Sequence, residues 1–198
     1  ERLYSLLEEA VRKRVPGEVE HATILSGIDS STVAYLADKH AKKPKMTYTV
    51  ATSADSKDIE SARTLSRALG IENKVGFIDE SYVIENLPEV VRAMASPLYF
   101  PLINTFPALK LAEMAKEDGI KVIMTGSGSD ETNIGYDYIW DLCDPLHMKD
   151  NFLELIYNIG EHEALREDRI FSARGIEGRV PFLDRKLVEY VLSTPFED

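Results

Sequence analysis

Cysteine is nearly missing: the chain of 198 residues holds one, Cys143. A single thiol closes no internal disulfide, so a reducing compartment, the cytoplasm, is the expectation. No apolar run comes near the roughly 20 residues of a membrane span, and no membrane partner is expected. The first seven residues, Glu-Arg-Leu-Tyr-Ser-Leu-Leu, pattern as an amphipathic helix and not as a signal peptide. Positive charge is in deficit. The formal net charge is −11 and the pI about 4.9, which argues against a nucleic-acid or anionic-membrane surface. Any phosphate site here has to rest on oriented amides, a helix terminus and bound metal more than on a general positive field. Gly-Lys-Ser/Thr does not occur, and neither does Gly-x-Gly-x-x-Gly. P-loop NTPase and hydride-transfer chemistry are correspondingly disfavoured.

The length suits one domain with a sizeable core. The 44% hydrophobic and 29% charged content is that of a soluble globular protein. Residues 2–14 read as a helix with Leu3, Leu6, Leu7, Ala10, Val11 and Val15 on one face, stopped by Pro16-Gly17. Strands are predicted at 21–25, 46–51, 74–78 and 121–125. Helices are predicted at 32–43, 56–69, 81–94 (disturbed at Pro88) and 107–117. Gly70 and Gly119 close the second and the last of these helices. Strands alternating with helices signal a mostly parallel sheet covered on both faces. Beyond Tyr138 the pattern turns helical, clearest at 151–159 and 183–192. The expected organisation is therefore an α/β core over 1–138 and a helical C-terminal lobe over 139–198, within one unit.

Two predicted strand ends carry small and acidic residues. The first is Ile24-Leu25-Ser26-Gly27-Ile28-Asp29-Ser30-Ser31. There an apolar run breaks into a small-residue turn and then a helix start. Such a junction aims backbone N–H groups and a helix dipole at one spot, which suits a phosphate. Ser30 and Ser31 can add hydroxyl donors. Asp29 would repel phosphate unless a hard cation such as Mg²⁺ lies between them. The second is Thr125-Gly126-Ser127-Gly128-Ser129-Asp130-Glu131. Its glycines allow close backbone approach, and Asp130 is a second candidate metal ligand. Sites in open parallel sheets form at the carboxyl ends of strands.

Residues 26–31 resemble the pyrophosphate loop of the ATP pyrophosphatases, Ser-Gly-Gly-x-Asp-Ser. Residues 125–136 resemble the Ser-Gly-Glu-Gly-Ser-Asp-Glu-x-x-x-Gly-Tyr block of the asparagine synthetases. Residues 166–184 resemble that family's Arg-x-Asp-Arg and Gly-x-Glu-x-Arg-x-Pro-Phe-Leu-Asp signature. The three blocks come in order and cover nearly the whole chain. The resemblance implies an adenine nucleotide α-hydrolase-like fold. It implies ATP-dependent adenylation of the aspartate β-carboxylate, then amide formation with ammonia and release of AMP and pyrophosphate. Alternatives are a β-lactam synthetase-like enzyme or a binding module for ATP or AMP without catalysis. The implied ligands are ATP, Mg²⁺ and aspartate. A glutaminase domain or subunit would supply ammonia, and a homodimer is compatible with the reading.

By the same resemblance, Leu25, Val50, Thr125 and Gly126 line the adenosine site. Ser26, Gly27, Asp29, Ser30 and Ser31 hold the pyrophosphate. Asp29 and Asp130 hold the metal, and Asp29, Asp130 and Glu131 form the catalytic set. The chain departs from the blocks at four places. Gly27 stands alone where two glycines are usual. Ser127 replaces an acid, Thr132-Asn133-Ile134 replaces Leu-Phe-Gly, and Arg174 occupies a position that is often His. Elsewhere, Cys143, His21, His147 and the Glu161-His162-Glu163 run read as structural or surface groups. Tyr136 and Tyr138 could border the substrate or simply pack. Arg166, Asp168, Arg169, Glu177 and Arg179 are expected to form a buried ion-pair network.

Overall fold

A computed structural model describes residues 1–40, 44–95, 104–141, 145–160 and 164–194. Cys143 and the Glu161-His162-Glu163 run lie outside the described residues. Five strands form one sheet: β1 His21–Ile24, β2 Met46–Ala51, β3 Glu72–Phe77, β4 Val122–Met124 and β5 Glu177–Arg179. Their spatial order is β3-β2-β1-β4-β5, and every neighbouring pair is parallel. All four residues of β1 are buried, as are all three of β4. Apolar and β-branched runs of this kind belong in a sheet covered on both faces.

The covering helices fall into two sets. On one face lie α1 Arg2–Arg14, α2 Ile28–His40 and α3 Lys57–Leu69. Leu7, Val11, Val33 and Leu36 of α1 and α2 pack with Met124 of β4, and Ala34 packs with Ala62 of α3. On the other face lie α4 Glu80–Met94 and α5 Thr105–Glu117. Val90, Met94, Leu109 and Ala112 of these helices pack on Ala22, Ile24, Tyr48 and Ile123 of the strands. The change of face has a cause. The chain runs outward from β1 to β3, then returns to lay β4 on the far side of β1. A right-handed crossover carries its helix to the opposite face when the direction reverses.

Local chemistry sets the helix ends. Ser56 accepts the Asp58 amide at the start of α3, and Gly70 ends that helix in the left-handed region at φ 61°. Asp79 accepts the Tyr82 amide at the start of α4. That helix runs through Pro88, where a disturbance was expected. Pro107 sits in the first turn of α5, where it is tolerated.

Three expectations need correction. Helix α2 begins at Ile28, four residues earlier than predicted, so Asp29, Ser30 and Ser31 lie in its first turn and not in a loop. Gly27 caps it, with its carbonyl accepting the Ser31 amide at 3.1 Å. The stretch beyond Tyr138 is not wholly helical. After the short helix α6 Ser129–Asn133 come α7 Asp137–Trp140, α8 Pro145–Ile159, α9 Leu165–Ala173 and α10 Arg185–Ser193, but also strand β5. Finally, Asp168, Arg169, Glu177 and Arg179 do not gather into the expected buried ion-pair network. Arg179 pairs with the exposed Glu177 and donates to the Arg14 carbonyl. Arg169 donates to the Met94 carbonyl, and Asp168 is exposed. Arg174, at the end of α9, pairs with Glu89 of α4 and Glu113 of α5.

Candidate active site

Strands β1 and β4 are direct neighbours, with Thr23 opposite Met124. They are also where the strand order reverses. Parallel neighbours lie about 4.8 Å apart, so the loops leaving their carboxyl ends must meet. A cleft of about 320 Å³ opens there.

The contact between the two loops is intimate. A Cβ built on Gly126 would stand 2.5 Å from the Ser30 amide nitrogen and 2.9 Å from Cβ of Asp29. Only glycine lets the second loop lie against the first turn of α2. One side-chain hydrogen bond links the loops as well: Ser129 Oγ donates to Asp29 Oδ1 at 2.7 Å. Gly128 takes φ 88°, and a Cβ there would meet Leu183 at 2.3 Å. Gly135 is packed on Asp130, so a Cβ at 135 would fall 2.1 Å from Asp130 Oδ1.

The first loop is held from within. Ser30 is buried. Its hydroxyl accepts the Ser26 amide at 3.0 Å and the Gly27 amide at 3.3 Å, and donates to the Gly27 carbonyl at 3.2 Å. That is half of a capping box, with serine at the third helical position reaching back to the cap. The first N–H groups of a helix have no intrahelical acceptor. Those of Ile28 and Asp29 therefore lie at the helix start, beside the Ser26 and Gly27 amides that donate to Ser30.

Nine of the eleven predicted binding or catalytic residues come together in this cleft. Ser26, Gly27, Asp29, Ser30, Val50, Thr125, Gly126, Asp130 and Glu131 all line it. Leu25 and Ser31 are not among the lining residues. Leu25 is buried against Ala34 and Ala62, and its carbonyl accepts Thr49 Oγ1 at 2.8 Å. Its strand neighbour Ile24 faces the cleft in its place, as the alternation of a strand requires. Glu131 is buried and accepts the Tyr136 hydroxyl at 2.6 Å. Tyr136 lines the cleft, while Tyr138 stacks on it at 5.5 Å and is 54% exposed. His21 is fully buried in β1 and His147 is exposed.

The structure adds residues that sequence reasoning passed over. Pro107, Ala108 and Leu111 of α5 make an apolar wall with Ile24 and Val50. No local signal marks them, because α5 is aimed at the cleft by its packing on β2. Arg166 and Glu167 of α9 close another side. Glu167 is buried and accepts Thr125 Oγ1 at 2.9 Å and Ser127 Oγ at 2.6 Å.

A divalent metal fits this donor set in a limited way. Among the described residues, no group of three or more His, Cys, Asp or Glu side chains could hold a metal. Two carboxylates, Asp29 and Asp130, share the cleft. Mg²⁺ commonly takes one or two carboxylates and completes its octahedron with waters and substrate phosphates, so the pair suits a metal that arrives with a nucleotide.

Comparison with known proteins agrees with this geometry. The family described as Asparagine synthase matches residues 2–150 and 144–198. A putative glutamine-hydrolysing asparagine synthetase of Methanocaldococcus jannaschii is 33% identical over 195 residues, covering 96% of this chain and 36% of that protein. The glutamine-hydrolysing asparagine synthetase of Mesocricetus auratus is 31% identical over 198 residues, covering 97% of this chain and 35% of that protein. The chain thus spans about a third of the length of the curated relatives it matches. Among solved structures, the U34-tRNA thiolase NcsA from Methanococcus maripaludis shares the fold, with a TM-score of 0.53 at 16% identity over 96% of this chain and 63% of that one. With a family match over nearly its whole length, and with the two loops of that family meeting at the sheet's switch point, this chain belongs to the asparagine synthase family.

Proposed function

We propose that this chain catalyses ATP-dependent amide formation of the asparagine synthetase type, with residues 1–198 acting as one synthetase unit. An oxygen of the aspartate β-carboxylate attacks the α-phosphorus of ATP. The bond from that phosphorus to the bridging oxygen breaks, and pyrophosphate leaves. Ammonia then attacks the acyl carbon, and AMP leaves as the amide forms. The observation that carries the reading is the single cleft in which Asp29 and Asp130 face the same space at the ends of β1 and β4.

Each wall has a task in this scheme. The apolar wall of Ile24, Val50, Pro107, Ala108 and Leu111 takes the purine. Thr125 and Gly126 offer backbone to the nucleoside, and the first turn of α2 takes the pyrophosphate on the Ile28 and Asp29 amides. Asp29 and Asp130 would hold Mg²⁺, which would neutralise charge on the leaving pyrophosphate. Tyr136 fixes Glu131 at the mouth of the acceptor side. Such an arrangement works by placing the nucleophile in line and stabilising the charge that develops. The glutamine-hydrolysing relatives suggest a glutaminase domain or subunit as the source of ammonia.

The test is ATP–pyrophosphate exchange with aspartate in the purified protein. Asp29→Asn keeps the size of the side chain and removes its charge. The expected loss is about 10²–10³-fold, the usual effect of removing one electrostatic contact to a transition state. Retention of most of the exchange rate takes Asp29 out of the mechanism. A second reading, nucleotide binding without catalysis, is favoured by the inward use of the Ser26 and Gly27 amides. Calorimetric ATP binding by the wild type with no pyrophosphate release would support it.

A further inference from the structure

Asp29 is fixed from two sides. A Cβ built on Gly126 would stand 2.9 Å from the Asp29 Cβ, so the second loop backs its side chain. Ser129 Oγ holds Oδ1 at 2.7 Å. Among the described residues, Oδ1 takes this hydrogen bond and Oδ2 takes none. One oxygen is thus occupied by protein, and the other remains for a cation.

The direction of the Ser129 bond follows from chemistry. An ionised carboxylate only accepts, so the one hydroxyl proton of Ser129 is spent on Asp29 and its lone pairs need a donor. Asn133, at the last position of α6, supplies it. Its Nδ2 donates to Ser129 Oγ at 3.3 Å, to the Ser129 carbonyl at 3.0 Å and to Thr132 Oγ1 at 3.2 Å. A carbonyl cannot donate, so the contact at 3.0 Å identifies the nitrogen side of the amide. Hydrogen bonds in series polarise one another. The amide proton on Oγ therefore strengthens the O–H that points at Asp29. Ser129 is buried, whereas Asn133 is exposed and does not line the cleft. Its amide is also this chain's own, since Thr132-Asn133-Ile134 stands where the family block has Leu-Phe-Gly.

We propose that Asn133 is a positioning residue for Asp29: acting through the Ser129 hydroxyl from outside the cleft, it fixes which carboxylate oxygen Asp29 offers to the cation that accompanies the nucleotide. The proposal rests on the reading of Asp29 as a cation ligand, and adds to it the two residues that orient that ligand.

Calorimetric titration of ATP at a series of Mn²⁺ concentrations tests it in the purified protein without requiring turnover. Mn²⁺ shares the oxygen preference of Mg²⁺. Ser129→Ala is expected to raise the Mn²⁺ concentration for half-maximal ATP binding by about 10–100-fold, the usual effect of losing a partner behind a metal ligand. Asn133→Ala is expected to raise it by about 2–10-fold, the worth of one neutral hydrogen bond. Binding of ATP without Mn²⁺ should not change in either variant. The double variant decides the route: with Ser129→Ala in place, Asn133→Ala should add less than about twofold. A merely structural role behaves differently, because Asn133 also holds the Ser129 carbonyl. Its loss should lower Tm in both backgrounds. Should Ser129→Ala not fold, Ser129→Cys, a weaker donor, replaces it in the cycle. An unchanged Mn²⁺ requirement in Asn133→Ala, or a loss that multiplies in the double variant, overturns the proposal. Wild-type ATP binding that ignores Mn²⁺ refutes the cation reading of Asp29, and the proposal falls with it. The expected pattern in a protein without ATP–pyrophosphate exchange would leave the positioning role standing and refute the synthetase reading instead.

Discussion

Gly126→Ala is the sharpest perturbation of the site, because it adds one carbon and no charge. That carbon would stand 2.5 Å from the Ser30 nitrogen and 2.9 Å from the Asp29 carbonyl carbon. These are backbone atoms in the first turn of α2, so no flexible side chain can swing away. To reach ordinary contact at 3.4 Å, the loop and the helix must part by about 0.9 Å. Overpacking of this kind costs about 1–3 kcal/mol, which for a chain of this size lowers Tm by about 2–12 °C. Function should suffer more than stability. Asp29 and Asp130 sit on the two elements being forced apart, and a misplacement of about 1 Å can cost about 10²-fold in rate. Calorimetric melting paired with ATP–pyrophosphate exchange measures both effects. Gly17→Ala is the control, since nothing lies within 4 Å of a Cβ there, and its Tm should stay within about 2 °C. If Gly126→Ala melts and exchanges like the wild type, the two loops do not touch and the shared cleft is wrong.

Two further perturbations probe the frame around the site. Ser30→Ala leaves the Ser26 and Gly27 amides without their side-chain acceptor, and should cost about 0.5–1.5 kcal/mol. Urea unfolding reads this as a lower midpoint at unchanged slope, and an unchanged midpoint refutes the inward role of that hydroxyl. Asp184 ties α10 to the end of α1 by an ion pair with Arg14 at 2.9 Å. Burial pushes its carboxyl up, but the Arg14 hydrogen bond, the Lys186 amide and the charges of Arg14 and Lys13 outweigh burial and hold it below its ordinary value. Its contribution is therefore full above its unfolded pKa, about 3.9, and fades as pH falls through the lower folded value. Asp184→Asn preserves the cap on the Lys186 amide while removing the charge. It should flatten the loss of stability below about pH 4, and melting curves that fall as steeply as the wild type's would refute this.

The sequence made the sheet legible where composition and context agree. β2 is found at the predicted residues because Met46–Ala51 is β-branched and aromatic and also lies inside the sheet. β5 was invisible, since Glu177-Gly178-Arg179 has no strand propensity and becomes a strand only by pairing with β4. The start of α2 was read too late because Asp and Ser favour both turns and first helical turns. Only the tertiary contact with Gly126 and the bonds of Ser30 decide between them. For the site, Asp29 and Asp130 were legible because small and acidic residues follow strands, and the topology then made those strands neighbours. Glu167 and the α5 wall had no such signal, because their direction depends on how whole helices pack.

The Ser129–Asp29 hydrogen bond has a thermodynamic meaning beyond its own strength. It registers the two sides of the proposed nucleotide site to each other before any ligand enters. The rotational freedom those side chains would otherwise surrender on binding has already been given up when the chain folds. A phosphate that settles on α2 therefore meets Asp29 already anchored through Ser129 to the neighbour of Asp130. Affinity in this pocket should thus track the integrity of the fold, so that even distant destabilising changes would loosen the ligand.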